Sequence, residues 1–233
     1  MISEGKKPHF YGRRKGRKLR LGRRVLFDQR LPEIAVTIPA GGSKFFCDLF
    51  SGSYKEIWLE IGFGGGEHLA HQANSHPEIG FIGCEPYING VAALLSLVEE
   101  AGLTNVRLFN DDARLLLGHL PENSISRVFV LFSDPWPKKR HNRRRFFNSE
   151  NLGALSRLMT DSAHLRFASD DMSYIRWTLD TVYRHDDFTW QVTGPEDWRR
   201  RPYDACETRY EAKAISQGKK PVYLTLLRRP RSG

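Results

Sequence analysis

The sequence predicts an α/β fold: a doubly wound, mostly parallel seven-stranded sheet with an antiparallel last strand, preceded by a basic N-terminal arm. Three observations predict it. After Asp28, short apolar runs alternate with helix-like stretches, the runs are apolar enough to be covered on both faces, and only the last two lack a helix between them. Ile57–Ile61 (IWLEI) is the first strand, and the glycines after it lead into a helix over Glu67–Ala73 that stops before His76 and Pro77. Phe81–Cys84 is the second strand. Tyr87–Ala101 has the apolar period of a longer helix, and Gly102 ends it. Val106–Phe109 is the third strand and Asp112–His119 the helix after it. Val128–Phe132 (VFVLF), the most apolar strand, runs into Ser133-Asp134-Pro135. A helix over Ser149–Ser162, a fifth strand over Leu165–Ala168 and a helix over Met172–Arg184 follow, the last with Tyr174, Trp177 and Leu179 spaced for a core face. Phe188–Val192 and Val222–Leu227 close the sheet across a long loop.

A chain of 233 residues buries about 70–75% of its unfolded surface, so one domain over residues 31–233 needs no disulfide or metal to hold its core. Cys47, Cys84 and Cys206 form no CxxC or Cys/His set and read as reduced, structural residues. No run of 18 apolar residues and no secretory signal occur, which predicts a cytoplasmic protein without a membrane partner. The charge is uneven. Residues 1–30 hold eleven Lys and Arg against Glu4 and Asp28, a surplus of nine that accounts for the whole net charge of +9. Such an arm repels itself and is expected to stay flexible until it meets a polyanion. Two further basic patches, Lys138–Arg145 and Arg199–Arg201 beside Trp198, point to an extended nucleic acid.

In open α/β sheets ligands sit at the carboxyl ends of the strands, and four acidic groups fall there. Glu60 begins the turn Glu60-Ile61-Gly62-Phe63-Gly64-Gly65-Gly66-Glu67, whose glycines let a ligand approach the backbone at Gly62. A dinucleotide site wants glycine where Glu67 stands, and the Glu67 charge at the helix N-terminus competes with a pyrophosphate. A ligand without phosphate fits better. Glu85 ends the second strand where a carboxylate grips ribose hydroxyls, and Asp111 and Asp112 end the third, with helix capping as the plain alternative for Asp112. The fourth end, Asp134, is the most specific: two prolines stiffen the backbone around Trp136, and six cations follow. Asp170 follows the fifth strand, and Thr208, Arg209, Tyr210 and Glu211 follow the third basic patch. His68 and His71 lie one helical turn apart, but without a third ligand they predict no metal.

These stretches together resemble the bacterial tRNA (guanine-N7-)-methyltransferase family: EIGFGGGEHL (60–69), GCEPY (83–87), NDDARLLL (110–117), SDPWPKKRHNRRRF (133–146), ASDDMSYIRW (168–177) and ETRYEAKA (207–214). The resemblance spans residues 56–226, and DPWPKKRHNRRR and TRYExK are its diagnostic parts. Gly65-Gly66 replaces a bulkier pair, and Ser169 stands before Asp170 where many members have Thr; neither change removes a functional group. The resemblance implies a class I, Rossmann-like methyltransferase fold with S-adenosylmethionine as methyl donor and tRNA as substrate, methylated at guanine N7 of position 46. It implies that Glu60, Gly62, Glu85, Asp112 and Asp134 surround the cofactor, with Asp134 catalytic, and that Lys138, Asp170, Thr208, Arg209, Tyr210 and Glu211 contact RNA. No obligatory protein partner is implied, so the expected state is a monomer or homodimer.

The chemistry agrees with that implication. Guanine N7 already carries a lone pair, so attack on a sulfonium methyl needs no general base and no metal, only alignment and electrostatics. His141 is accordingly expected to be an RNA or structural contact. Two rivals remain: a non-enzymatic RNA-binding protein on the same fold, against which the four strand-end carboxylates argue, and a nicotinamide dehydrogenase, which Glu67 disfavours.

Overall fold

In β1 (Glu56–Ile61) successive side chains point to opposite faces, and both faces find a core: Trp58 packs into one apolar cluster, and Leu59 and Ile61 into another. The computed structural model describes residues 8–38, 46, 49, 50 and 54–231, which leaves Cys47 outside the described residues. β4 (Ile125–Leu131) repeats the alternation, with Val128 and Val130 on the face of Leu59 and Phe129 on the face of Trp58. On the Trp58 face lie α1 (Leu21–Ile34), α2 (Glu67–Ser75) and α3 (Ile88–Ala101), sealed by Leu69, Leu94 and Leu95, all fully buried. The opposite face takes α4 (Ala113–Leu117), α5 (Ser149–Leu158) and α6 (Met172–Tyr183). Each fully buried Leu contributes roughly 1.5–3 kcal/mol, so strands covered by apolar side chains on both faces form the main core.

With β2 (Ile79–Cys84), β3 (Val106–Phe109), β5 (Met159–Ser169), β6 (Phe188–Gln191) and β7 (Val222–Arg228), the sheet has seven strands in the order β3-β2-β1-β4-β5-β7-β6. β1 to β5 are parallel, and β7 runs antiparallel to both β5 and β6. The winding reverses between β1 and β4, the position at which such sheets open a crevice beyond their strand ends. Register brings the ends together: Ile61 sits opposite Cys84, and Cys84 opposite Phe109. No helix among the described residues is long and apolar enough to cross a membrane.

The structure departs from the sequence reading at several elements. The helix expected over 149–162 ends at Leu158, and Met159–Ser162 already belongs to β5, because Met159 pairs with Ile125 of β4. A register shift between Ile125 and Arg127, with Ser162 at φ 64°, absorbs the extra residues as a bulge. The helix expected over 112–119 shrinks to Ala113–Leu117 with Asp112 as its N-cap. The long loop before β7 holds α7 (Glu196–Arg199) and α8 (Arg209–Ser216), and α1 crosses the domain boundary expected at residue 30.

Where the charge pattern leads one to expect a free arm, the structure lays residues 9–17 along the body. Ile88 N donates to Arg14 O (3.0 Å), Gly16 N donates to Asn89 Oδ1 (3.0 Å), and Asn89 Nδ2 donates to Arg17 O (2.8 Å). Arg14 also pairs with Asp111 at 2.7 Å. The first turn of α3 supplies these partners: the Ile88 amide has no acceptor within the helix, and the Asn89 side chain both accepts and donates.

Candidate functional site

Beyond the ends of β1 to β4 opens a cavity of about 550 Å³. Its floor is the glycine turn, where Gly62, Gly64 and Gly66 take φ of 73°, 57° and 81°, angles that side-chain-bearing residues avoid. A Cβ on Gly62 would meet nothing within 4 Å, so the space above it is open to a ligand. Gly90 in α3 has the opposite role: a Cβ there would collide with the Gly64 carbonyl oxygen. Gly90→Ala should therefore push α3 off the turn, lowering stability by about 1–3 kcal/mol and weakening ligand binding at the cavity. Thermal unfolding with calorimetry of the variant checks this, and an unchanged Tm with normal binding would contradict it.

The carboxylates stand around this floor. Glu85 accepts from Gly64 N (2.9 Å, Oε2) and Tyr87 N (2.9 Å, Oε1), so it braces two turns while its remaining lone pairs face the cavity. Burial pushes its pKa up, and the two backbone N–H groups and the nearby Asp134 and Glu60 charges act after it. Glu60 and His68 are both buried and meet at 2.8 Å (Oε2 to Nδ1), which holds Glu60 in place at the head of α2. Asp112 is a cap and a wall at once: its Oδ1 accepts from Arg114 N (3.1 Å), and the Arg114 guanidinium closes on both its oxygens. The capping reading of Asp112 is met by this bond, and the same residue lines the cavity.

Asp134 stands on a strained loop. Phe132 at φ 52° and Trp136 at φ 45° bracket it in the left-handed region, which bulky residues enter only when their surroundings force them to. The force is visible: Phe132 N is held by Ala168 O (2.8 Å), and buried Arg145 donates to Pro135 O (2.7 Å) and Ser173 Oγ (2.7 Å). Arg145 thus departs from the reading of its segment as an RNA-facing run, since its guanidinium is an internal brace. Asp134 itself has no ion-pair partner among the described residues. Its carboxylate is exposed through the cavity mouth, yet the walls exclude enough water to push its pKa up.

The structure brings Glu60, Gly62, Glu85, Asp112, Asp134, Thr208 and Tyr210 to this one cavity. The other expected residues lie outside it. Lys138 is exposed before the 3-10 turn Lys139–Arg144, Asp170 pairs with Lys219 (2.5 Å), and Arg209 pairs with Glu67. Glu211 is buried, holding Arg201 (2.8 Å) and the Tyr223 hydroxyl, and Thr208 caps α8 through Glu211 N (3.2 Å). Glu211 therefore anchors the turn and has no face open to solvent, while Arg201 of the third basic patch, half-buried, is already paired with Glu211 and Glu207. Phe10–Arg13 and Arg144, which the sequence reading placed only in basic runs facing a nucleic acid, also wall the cavity. Aromatic residues interleaved with the cations of the arm were the available signal. Among the described residues no group of three or more His, Cys, Asp or Glu is placed to hold a metal ion.

The donor set, four carboxylates with open backbone and a Glu in the first turn of α2, suits a ligand with a cationic group and hydroxyls and repels a phosphate. If Glu85 grips hydroxyls, Glu85→Ala should weaken that ligand by about 1.5–3 kcal/mol, roughly 10- to 150-fold. Because the carboxylate is the accepting form and its pKa is raised, binding should also fall as pH drops, sooner than for an exposed Glu. Calorimetry of S-adenosylhomocysteine binding across pH reads both effects, and unchanged affinity in the variant would place the ligand elsewhere.

Comparison with known proteins adds the family. A family model described as "Putative methyltransferase" matches residues 54–224. A tRNA (guanine-N(7)-)-methyltransferase of Rhodospirillum rubrum is 50% identical over 226 residues, covering 96% of this chain and 89% of the relative. Its namesake in Roseobacter denitrificans is 46% identical over 235 residues, covering 97% and 100%. Among solved structures, the 16S rRNA methyltransferase KamB superposes with a TM-score of 0.55 at 14% identity, covering 84% of this chain and 99% of that one. An rRNA methylase of Streptococcus thermophilus gives 0.52 at 15%, covering 75% and 87%. These two establish the class I methyltransferase fold alone.

Proposed function

Because the chain belongs to the tRNA (guanine-N(7)-)-methyltransferase family, we infer that it transfers a methyl group to N7 of a guanine in tRNA, at position 46 of the variable loop, forming 7-methylguanosine. S-adenosylmethionine is the methyl donor and supplies an electrophilic methyl on a positively charged sulfur. The reading is carried by one observation: Glu60, Glu85, Asp112 and Asp134 wall one cavity whose floor is open glycine backbone. That donor set fits the donor molecule, which has an ammonium, two ribose hydroxyls and no phosphate.

Glu60, locked by His68, offers a buried carboxylate to a cation, and Glu85 offers lone pairs to hydroxyls. Gly62 admits the ligand to the backbone, and Asp112 holds the adjacent wall. Asp134 accepts from the guanine N–H donors and so turns N7 toward the methyl, while its negative charge favours the positive charge that develops on the purine. No proton leaves N7, so no residue need act as a base there. Lys138, exposed at the start of the cationic 3-10 turn, meets the RNA backbone. Asp170 and the turn Thr208 to Glu211 form the remaining RNA-facing wall, with Arg209 and Tyr210 as its exposed members and Thr208 and buried Glu211 fixing its shape. The arm of residues 1–30 adds cations to the domain behind it, and a tRNA substrate supports a cytoplasmic place of action.

The test is incubation of the purified protein with unmodified tRNA and methyl-labelled S-adenosylmethionine, followed by mapping of the label. Label on guanine N7 at position 46 is expected. Label on another atom, or RNA binding with no transfer, would overturn the reading; the second outcome would favour a non-enzymatic RNA-binding protein.

A further inference from the structure

We propose that the N-terminal arm completes the site that grips the target nucleotide: Tyr11, stacked on the Arg144 guanidinium, forms with Trp136 a right-angled aromatic slot that offers a purine one open ring face at the mouth of the cavity. The proposal rests on the tRNA-methylating function above and names the residues that receive the base. Arg144 Cζ lies 4.2 Å from the Tyr11 ring centroid and 5.0 Å from that of Trp136, and the two rings meet edge to face at 6.3 Å. His9 backs Tyr11 at 4.4 Å. Tyr11, Trp136 and Arg144 all border the cavity that holds Asp134.

Two features point to an incoming ligand. Arg144 Nε is buried with no hydrogen-bond partner among the described residues. A buried donor without an acceptor is unfavourable unless something arrives to meet it. Tyr11, although stacked on Arg144, stays 40% exposed, so part of its ring surface is open. The arm is held in place independently of the slot, by the bonds at Arg14, Gly16 and Arg17 to α3 and by Arg114 Nη2, which donates to His9 O at 3.0 Å. A base drawn out of the tRNA stack loses its neighbours, and an aromatic face replaces them whatever the flanking sequence. Arg144 then donates to an acceptor of the nucleotide while Asp134, on the same wall, takes the guanine N–H donors.

Single-turnover methylation of a tRNA transcript, at saturating S-adenosylmethionine and with the full chain, tests the slot through Tyr11→Ala, Tyr11→Phe and Arg144→Lys. Tyr11→Ala should lower the transfer efficiency about 5- to 150-fold, the range that removal of one base-stacking ring produces. Tyr11→Phe should restore most of the loss, because it keeps the ring. Arg144→Lys should stay low, because it keeps the charge without the planar face. Calorimetric affinity for S-adenosylhomocysteine should hold at the wild-type value in the Tyr11 variants. Wild-type efficiency in Tyr11→Ala would overturn the slot, as would a cofactor affinity that falls in step with the rate, which would make the arm a cover for the cofactor. A wild-type protein that leaves tRNA unlabelled overturns the functional reading and the slot together; an active wild type with an equally active Tyr11→Ala overturns the slot alone.

Discussion

Replacing Asp134 with Asn should lower turnover on tRNA by about two to three orders of magnitude, the range seen when one fixed charge-stabilising group is removed from an active site. The reason is geometric as well as electrostatic. The side chain is carried by a loop with left-handed backbone at Phe132 and Trp136, and Arg145 bolts that loop to α6, so the carboxylate has little freedom to move. Asn keeps the size and one acceptor but not the charge that offsets a purine becoming cationic. Cofactor affinity should change far less, because Glu60, Glu85 and the glycine turn are untouched. A pH profile separates charge from shape. The ionised carboxylate is the working form and its pKa is raised by burial, so wild-type turnover should fall on the acid side at a higher pH than an exposed Asp would give. The Asn variant should lack that limb. Near-normal single-turnover rates in Asp134→Asn would remove Asp134 from the chemistry.

Deleting residues 1–24 should produce the largest loss of tRNA affinity. Ten of the eleven cations of residues 1–30 go with them, and the salt dependence should flatten by roughly 0.7 to 0.9 log units per log unit of salt for each phosphate that the arm no longer neutralises. The charge pattern alone predicts that cofactor binding is unaffected. The structure changes that part: Arg14 pairs with Asp111 beside the Asp112 cap, and Arg114, which closes on Asp112, also donates to His9 O, so the truncated protein should also bind S-adenosylhomocysteine more weakly. Filter binding across a salt series and calorimetry measure the two effects. An unchanged salt slope would mean that the arm neutralises no phosphate of the RNA.

The strand-end carboxylates were legible because short apolar runs mark where the strands stop. Glu60 is the penultimate residue of β1, Glu85 directly follows β2, and Asp112 and Asp134 stand three residues past β3 and β4. Other residues were legible in type and misread in place. Arg145 belongs by composition to a solvated basic run, yet it is buried because the 3-10 turn ending at Arg144 points it at Pro135 and Ser173. Glu211 looks like an exposed loop acid, yet Arg201 and Tyr223 enclose it. Local pattern reports which side chains favour water; it does not report which distant partner removes them from it.

The order of apolar runs and glycines along the chain determines the α/β class and which acidic groups reach the strand ends, since each depends on neighbours within a few residues. Pairing between distant segments decides the rest. β4 takes Met159 out of a helix, α3 binds the arm through Asn89 and Ile88, and the Asp134 loop is strained by contacts from β5 and α6. Such pairings are settled by backbone hydrogen bonds and packing that close loops of tens of residues. Their free energy depends on the whole arrangement, and no local stretch of sequence carries it.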